Sequence, residues 1–271
     1  MTAIASFDGQ AADFDRRAGL PARCSALVAD RLVEITGLAS GVGRDRGRLL
    51  EIGAGTGQIG AQLLAAGIDY LGLDRSRPML EVFARRLAPQ QHARLIVADA
   101  NERWPVPARS LAAVFLSRVV HLLDPVVVWS ESRRVAGPGG CWLIIGRRGR
   151  ERDSVRAGMR RQMHALLADE GVGSRSGGEP HRMLRAMESW GGQSRFATEV
   201  ARWAVVHRPR QALEAWRGKP GLAGVQVDDA LKARVLDRLE AWTCERYGPL
   251  DREHRSEEHY ALHGLRVPGG A

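Results

Sequence analysis

Between residues 48 and 146 the chain alternates short, continuously apolar runs with longer amphipathic ones. The apolar runs fall at 48–53, 69–74, 94–99, 111–117 and 141–146. Their length and lack of polar alternation predict strands buried on both faces. The segments between them carry helix start and stop signals. Residues 57–66 end at Gly67, a glycine suited to the left-handed position after a helix. Ser76 can cap a helix running through Leu87, with Pro78 in its first turn. Asp124-Pro125 supplies a cap and a first-position proline for a helix to about Ala136, and Gly137-Pro138-Gly139-Gly140 stops it. Such alternation predicts a mostly parallel sheet with helices on both faces, and ligands in such sheets sit at the carboxyl ends of the strands.

The flanking segments follow other patterns. Residues 8–36 read as helical, with a break near Gly19-Leu20-Pro21. Residues 151–191 read as two helices joined by a Gly/Ser-rich loop from Gly171 to Gly178. Residues 195–206 alternate as a strand does, and Pro209 opens a short helix that stops at Gly218. Residues 228–247 place Leu231, Val235, Leu239 and Trp242 on one helical face, and a last strand is expected near 258–266. The domain organisation expected is an N-terminal helical cap segment at 1–44, a ligand-binding core at 45–150, and a helical cap insertion at 151–193. Residues 194–271 would complete the core sheet around inserted helices at 209–247.

Residues 49–57, Leu-Leu-Glu-Ile-Gly-Ala-Gly-Thr-Gly, end the first strand in a glycine-rich turn. Glycine lets backbone approach a ligand closely and tolerates positive φ. The helix that follows aims its free N–H groups at the same place, so a nucleotide-type cofactor is expected. Gly55-Thr56-Gly57-Gln58-Ile59-Gly60 also fits the dinucleotide fingerprint, with Asp74 near the spacing of a ribose acid. Three features turn the expectation away from a dinucleotide: Glu51 inside the first strand, Asp99-Ala100 ending the third, and Met79-Leu80 shortly after Asp74.

The formal charge is +9 and the isoelectric point about 10.5, which raises nucleic acid as a partner. Yet only Lys219 and Lys232 among the 40 basic residues are lysines, and the arginines are spread and mixed with acids. That is the pattern of a solvated face, and a nucleic-acid partner is not expected. The three cysteines, Cys24, Cys141 and Cys244, are far apart, and the histidines lack metal-ligand spacing, so no metal site is expected. No apolar run is long enough for a membrane span. With no signal-like N-terminus, a cytoplasmic protein is expected, as monomer or homodimer.

Taken in order, Glu51-Ile-Gly-Ala-Gly-Thr-Gly57, Leu73-Asp74-Arg-Ser-x-x-Met79-Leu80, Ala98-Asp99-Ala100, Leu116-Ser-Arg-Val-Val-His121-Leu-Leu and Gly137-Pro-Gly-Gly140 resemble the motifs of class I S-adenosylmethionine-dependent methyltransferases. The resemblance covers about 45–150. It extends to 7–18, where Phe7-Asp-x-x-Ala-x-x-Phe14-Asp is similar to the start of quinone-biosynthesis and malonyl-carrier-protein methyltransferases. It implies a Rossmann-like α/β fold with a seven-stranded sheet and a helical cap over the active site, with S-adenosylmethionine as cofactor. It also implies roles. Backbone at Gly53, Ala54, Gly55 and Gly57 would hold the methionine end, and Glu51 would orient its ammonium. Asp74, beside Arg75, would accept from both ribose hydroxyls. Met79 would lie on the adenine edge, with Asp99 accepting from the adenine amine and Ala100 N–H facing a ring nitrogen. Ser117 and Arg118 would lie near the sulfonium and the substrate.

His121, four residues past Ser117 and titratable near neutral pH, is the candidate general base. Phe14, Arg118, His121 and His164 are the candidate substrate contacts. No Asn/Asp-Pro-Pro-aromatic sequence follows the fourth strand, and no Pro-Cys stands at a strand end. Base-flipping amino methylation and covalent pyrimidine methylation are therefore not expected. A small-molecule acceptor is expected, with oxygen (hydroxyl or carboxylate) as the accepting atom. N- or C-methylation, an RNA methyltransferase and a non-catalytic cofactor-binding protein are the alternatives.

Overall fold

A computed structural model describes residues 11, 14–15, 19–38, 47–89, 91, 93–173 and 179–269. Phe7, part of the 8–36 helical reading, residues 39–46 and residues 174–178 of the Gly/Ser-rich loop lie outside the described residues. The described elements in chain order are α1 (Ala22–Thr36), β1 (Arg48–Ile52), α2 (Gly60–Ala65), β2 (Tyr70–Asp74), α3 (Arg77–Arg86), β3 (Arg94–Val97), β4 (Leu111–Ser117), a 3₁₀ turn (Val120–Leu122), α4 (Pro125–Val135), β5 (Cys141–Arg150), α5 (Val155–Asp169), α6 (Glu179–Ser189), β6 (Gln193–His207), α7 (Pro209–Arg217), α8 (Asp229–Tyr247) and β7 (His254–Val267).

The strands form one seven-stranded sheet in the order β3-β2-β1-β4-β5-β7-β6. β1 pairs parallel with both β2 and β4, β2 with β3, and β4 with β5. The chain moves outward in one direction from β1 to β3 and then returns to β4 on the other side of β1. The crevice between the carboxyl ends of β1 and β4 is therefore the switch point at which such sheets bind ligands. Register aligns this edge: Ile52 stands opposite Leu73 and Leu116, and Asp74 opposite Val97. The next residues, Gly53, Ser117 and Ala98, consequently leave their strands together with Asp74.

Two compact units are present, one made of 1–148, 178–201 and 260–271, the other of 149–177 and 202–259. The core of the first buries Leu50, Ile52, Leu73, Val114, Leu116 and Ile145 from the sheet, with Trp104 and Trp129. α6 belongs to this core through Met183, Leu184 and Met187. The second unit has its own cluster, in which Met159, Met163 and Leu167 of α5 meet Leu213 of α7 and Val235, Leu236 and Leu239 of α8. The segment 151–193 is thus divided between the units, because α5 and α6 each turn their apolar face to a different core.

The helix signals mostly operate as their chemistry suggests. Asp124 accepts from Val126 N at 2.8 Å, Ser154 from Ala157 N at 3.3 Å and Asp228 from Leu231 N at 2.7 Å. Ser76 differs: it occupies the cap position of α3, but its side chain makes no capping bond. Asp74 binds the backbone there instead, accepting from Ser76 N at 2.9 Å. β3 ends at Val97, two residues earlier than its apolar run, which leaves Ala98 and Asp99 in the loop at the crevice.

Candidate active site

The crevice opens into a cavity of about 300 Å³ lined wholly by residues of the first unit. Its floor is the β1–α2 turn. Gly53, Gly55 and Gly57 all have φ between 54° and 75°, the left-handed region that glycine adopts without strain. A Cβ on Gly53 would lie 2.9 Å from Val119, and one on Gly57 2.0 Å from the Phe83 ring of α3. Gly53, Ala54 and Gly55 line the cavity, whereas Gly57 does not: it is the seat of Phe83, and its smallness serves packing.

Asp74 closes one side. Its Oδ2 accepts from Gly55 N and its Oδ1 from Ser76 N, each at 2.9 Å, which ties the end of β2 to the glycine turn. Burial raises its pKa, and the bonds from Ser76 and Gly55 pull it back. Arg75 and Met79 line the same side, with Met79 buried. Asp99 and Ala100 follow β3 into the cavity, and Asp99 Oδ1 accepts from Asn101 N at 2.9 Å.

Glu51 is 3% exposed and still lines the cavity. The Tyr70 hydroxyl donates to its Oε2 at 2.6 Å. Burial pushes its pKa from 4.5 up to about 8, against the opposing effects of the Tyr70 bond and the Arg118 charge. At neutral pH the carboxyl is therefore mostly protonated until a cation arrives. Ser117, at the end of β4, shares a hydrogen bond of 2.7 Å with the Tyr260 hydroxyl of β7. The Tyr260 side chain passes over Gly146 of β5, where a Cβ would lie 2.0 Å from its hydroxyl. Arg118 follows in a left-handed conformation, φ 59°, with its guanidinium 5.5 Å from the centre of the Phe14 ring. His121 is exposed at the cavity wall on the 3₁₀ turn. Asn101 holds that turn, donating to Leu122 O at 2.9 Å and accepting from Asp124 N at 2.7 Å.

Of the residues singled out in the sequence, the cavity collects Phe14, Glu51, Gly53, Ala54, Gly55, Asp74, Arg75, Met79, Asp99, Ala100, Ser117, Arg118 and His121. Gly57 and His164 are not among its lining. His164 lies on α5 in the second unit, where burial and the Arg160 charge lower its pKa. Sequence reasoning missed Tyr70, Tyr260 and Asn101. Asn101 had a local signal, two residues after Asp99. The tyrosines sit in strands where they read as ordinary apolar positions.

The fold and this arrangement of acids around a glycine turn define a class of protein. Residues 50–144 match the family model described as a methyltransferase domain, and this segment is a methyltransferase domain of the class I S-adenosylmethionine-dependent kind. Over 136 residues the chain is 37% identical to the biotin biosynthesis bifunctional protein BioHC of Cellvibrio japonicus, a match covering 50% of this chain and 25% of that protein. It is 37% identical over 98 residues to the demethylmenaquinone methyltransferase of Clavibacter sepedonicus, covering 36% of this chain and 40% of that one. The chain thus spans between a quarter and two fifths of these curated relatives. Among solved structures, the YcgJ protein of Bacillus subtilis shares the fold with a TM-score of 0.53 at 14% identity, covering 89% of this chain and 98% of that one.

Proposed function

We propose that the chain is an S-adenosylmethionine-dependent methyltransferase that methylates a small molecule at oxygen. The observation that carries this reading is the convergence of Glu51, Asp74 and Asp99, from three neighbouring strands, on the cavity above the Gly53–Gly55 turn. Asp74 uses one lone pair on each oxygen for backbone, which leaves the carboxylate further acceptor capacity for two ribose hydroxyls. Asp99 and Ala100 N–H would read the adenine edge, and Met79 would pack on it. The turn would hold the methionine end, and Glu51 would receive its ammonium. Ser117, Arg118, Phe14 and His121 line the remaining wall and would face the acceptor.

When bound, S-adenosylmethionine supplies an electrophilic methyl on a sulfonium. The protein's contribution is alignment: holding acceptor and methyl in line near contact distance can lower the barrier by roughly 7–11 kcal/mol. His121 would take the proton of a hydroxyl acceptor, worth ~10²–10⁴-fold. The spread of the basic residues argues for a small acceptor over nucleic acid. Many arginines are matched by acids, as in Arg202–Glu257, Arg208–Glu253, Arg210–Asp251 and Arg217–Glu240. Isothermal titration with S-adenosylhomocysteine is the test. Saturable binding with no response to NAD is expected, and the reverse result refutes the reading.

A further inference from the structure

Two glycines make a slot for the Tyr70 side chain. In the parallel pairing of β1 with β2, Leu49 stands opposite Tyr70 and Glu51 opposite Gly72. Residues two apart on a strand share a face, so Tyr70 lies diagonally from Glu51, with Gly72 as its neighbour on that face. Gly72 leaves the way open: a Cβ there would lie 3.2 Å from the Tyr70 ring. Gly60, the first residue of α2, clears the far end, where a Cβ would lie 2.4 Å from the Tyr70 hydroxyl. The Phe83 ring of α3 meets Tyr70 in a T-shaped contact, with centres 5.9 Å apart. The side chain so held places its hydroxyl on Glu51 Oε2 at 2.6 Å.

Tyr70 is 2% exposed and does not line the cavity, whereas Glu51 does. Burial raises the Tyr70 pKa, so its hydroxyl keeps its proton and donates. A carboxylate has about four acceptor sites. Tyr70 takes one of them from the protein interior and leaves others for a ligand in the cavity. A bond from a hydroxyl to an ionised carboxylate is short and stronger than one between neutral groups. The charged and titratable groups that act on Glu51 are Tyr70 and Asp74 of β2, Arg118 after β4 and Tyr260 of β7. Burial opposes the ionised form, Tyr70 and Arg118 favour it, and Asp74 opposes it.

We propose that Tyr70 is a positioning residue for the amino-acid end of the cofactor: its hydroxyl, carried in the slot beside Gly60 and Gly72, holds the Glu51 carboxylate in place to receive the cofactor ammonium. The proposal rests on the methyltransferase reading above. The ligand's amine separates this role from packing. S-adenosylhomocysteine carries the ammonium. Methylthioadenosine has the same adenosine and a thioether but no ammonium.

The test compares the two ligands by isothermal titration between about pH 6 and pH 9. In the wild type the preference for S-adenosylhomocysteine should rise up to about pH 8, as the free Glu51 carboxyl ionises, and level off above it. Tyr70→Phe keeps the ring and removes the donor. It should lower that preference about tenfold at neutral pH and move the rise to higher pH, with methylthioadenosine nearly unaffected. In a Glu51→Gln background Tyr70→Phe should cost no further preference. Gly60→Ala, which sets a methyl against the hydroxyl, is the second variant and should lower the preference with Tyr70 still present. Thermal melting confirms that the variants fold. A wild-type preference independent of pH, an equal loss for both ligands, an unaltered preference in either variant, or the same loss in the Glu51→Gln background overturns the proposal. Binding of neither ligand refutes the methyltransferase reading, whereas any of those outcomes with methylthioadenosine still bound refutes only the role of Tyr70.

Discussion

Replacing Glu51 with glutamine should stabilise the protein in alkali and leave it nearly unchanged in acid. Glu51 is buried and accepts a hydrogen bond from Tyr70, and its pKa rises from 4.5 to about 8. Below pH 4.5 the carboxyl is protonated in folded and unfolded chains alike, and it contributes no pH dependence. Between 4.5 and 8 the unfolded chain ionises while the folded one stays largely protonated. Folding then takes up a proton, and stability falls by about 1.4 kcal/mol per pH unit. Above pH 8 the loss is complete, at roughly 5 kcal/mol, and structural relaxation around the ion brings it to the order of 2–5 kcal/mol. Glutamine has nearly the same shape and its amide oxygen accepts from Tyr70, but it never ionises. Urea denaturation of wild type and Glu51→Gln at pH 5 and pH 9 gives the difference directly, because every other titrating group cancels between the two proteins. A gain of about 2 kcal/mol or more at pH 9, with little at pH 5, is expected. An equal effect at both pH values, or a less stable variant at pH 9, refutes the reasoning. Under the proposed function the same variant should bind S-adenosylhomocysteine more weakly, since the ammonium then lacks its counter-ion.

Other substitutions probe other parts of the site. Gly57→Ala forces a Cβ to within 2.0 Å of the Phe83 ring at φ +75°, so it should destabilise by roughly 2–4 kcal/mol, visible as a lower melting temperature. Asp74→Ala removes the acceptor for Gly55 N and Ser76 N. It should weaken S-adenosylhomocysteine about tenfold or more, as read by isothermal titration. Gly146→Ala sets a methyl against the Tyr260 hydroxyl and should be destabilising. Tyr260→Phe removes that hydroxyl and should recover part of the loss, so a double-mutant cycle should show coupling of about 1 kcal/mol or more. Additive single effects would place the two side chains out of contact.

What the sequence made legible follows from the range of each interaction. The glycine turn, Asp74 and Asp99 each stand at the end of an apolar run, and a strand's end can be read from its own few residues. Parallel register then brings those ends together, since Ile52, Leu73 and Leu116 stand side by side. The Ser117–Tyr260 bond joins residues 143 apart across an intervening strand, and no periodicity announces it. Only the sheet order β4-β5-β7 and a glycine at 146 make the contact possible. Tyr70 presents the same difficulty: in β2 it reads as one more apolar position, yet its hydroxyl is the bond Glu51 receives. Arg118 is a third case. Its place after the fourth strand was readable, but its left-handed backbone and its seat over Phe14 depend on the close approach of Val119 to Gly53 and on an N-terminal segment far away in sequence. The part of the site read locally is therefore the part that would bind a common cofactor, made of strand ends and backbone. Beyond it, Phe14 and Arg118 were also named from the sequence and line the cavity, but the contact between them and the bond between Tyr260 and Ser117 come only from the fold. An acceptor pocket assembled from distant segments can change its chemistry without disturbing the strand ends, so specificity in this chain is to be sought among contacts that only the fold brings together.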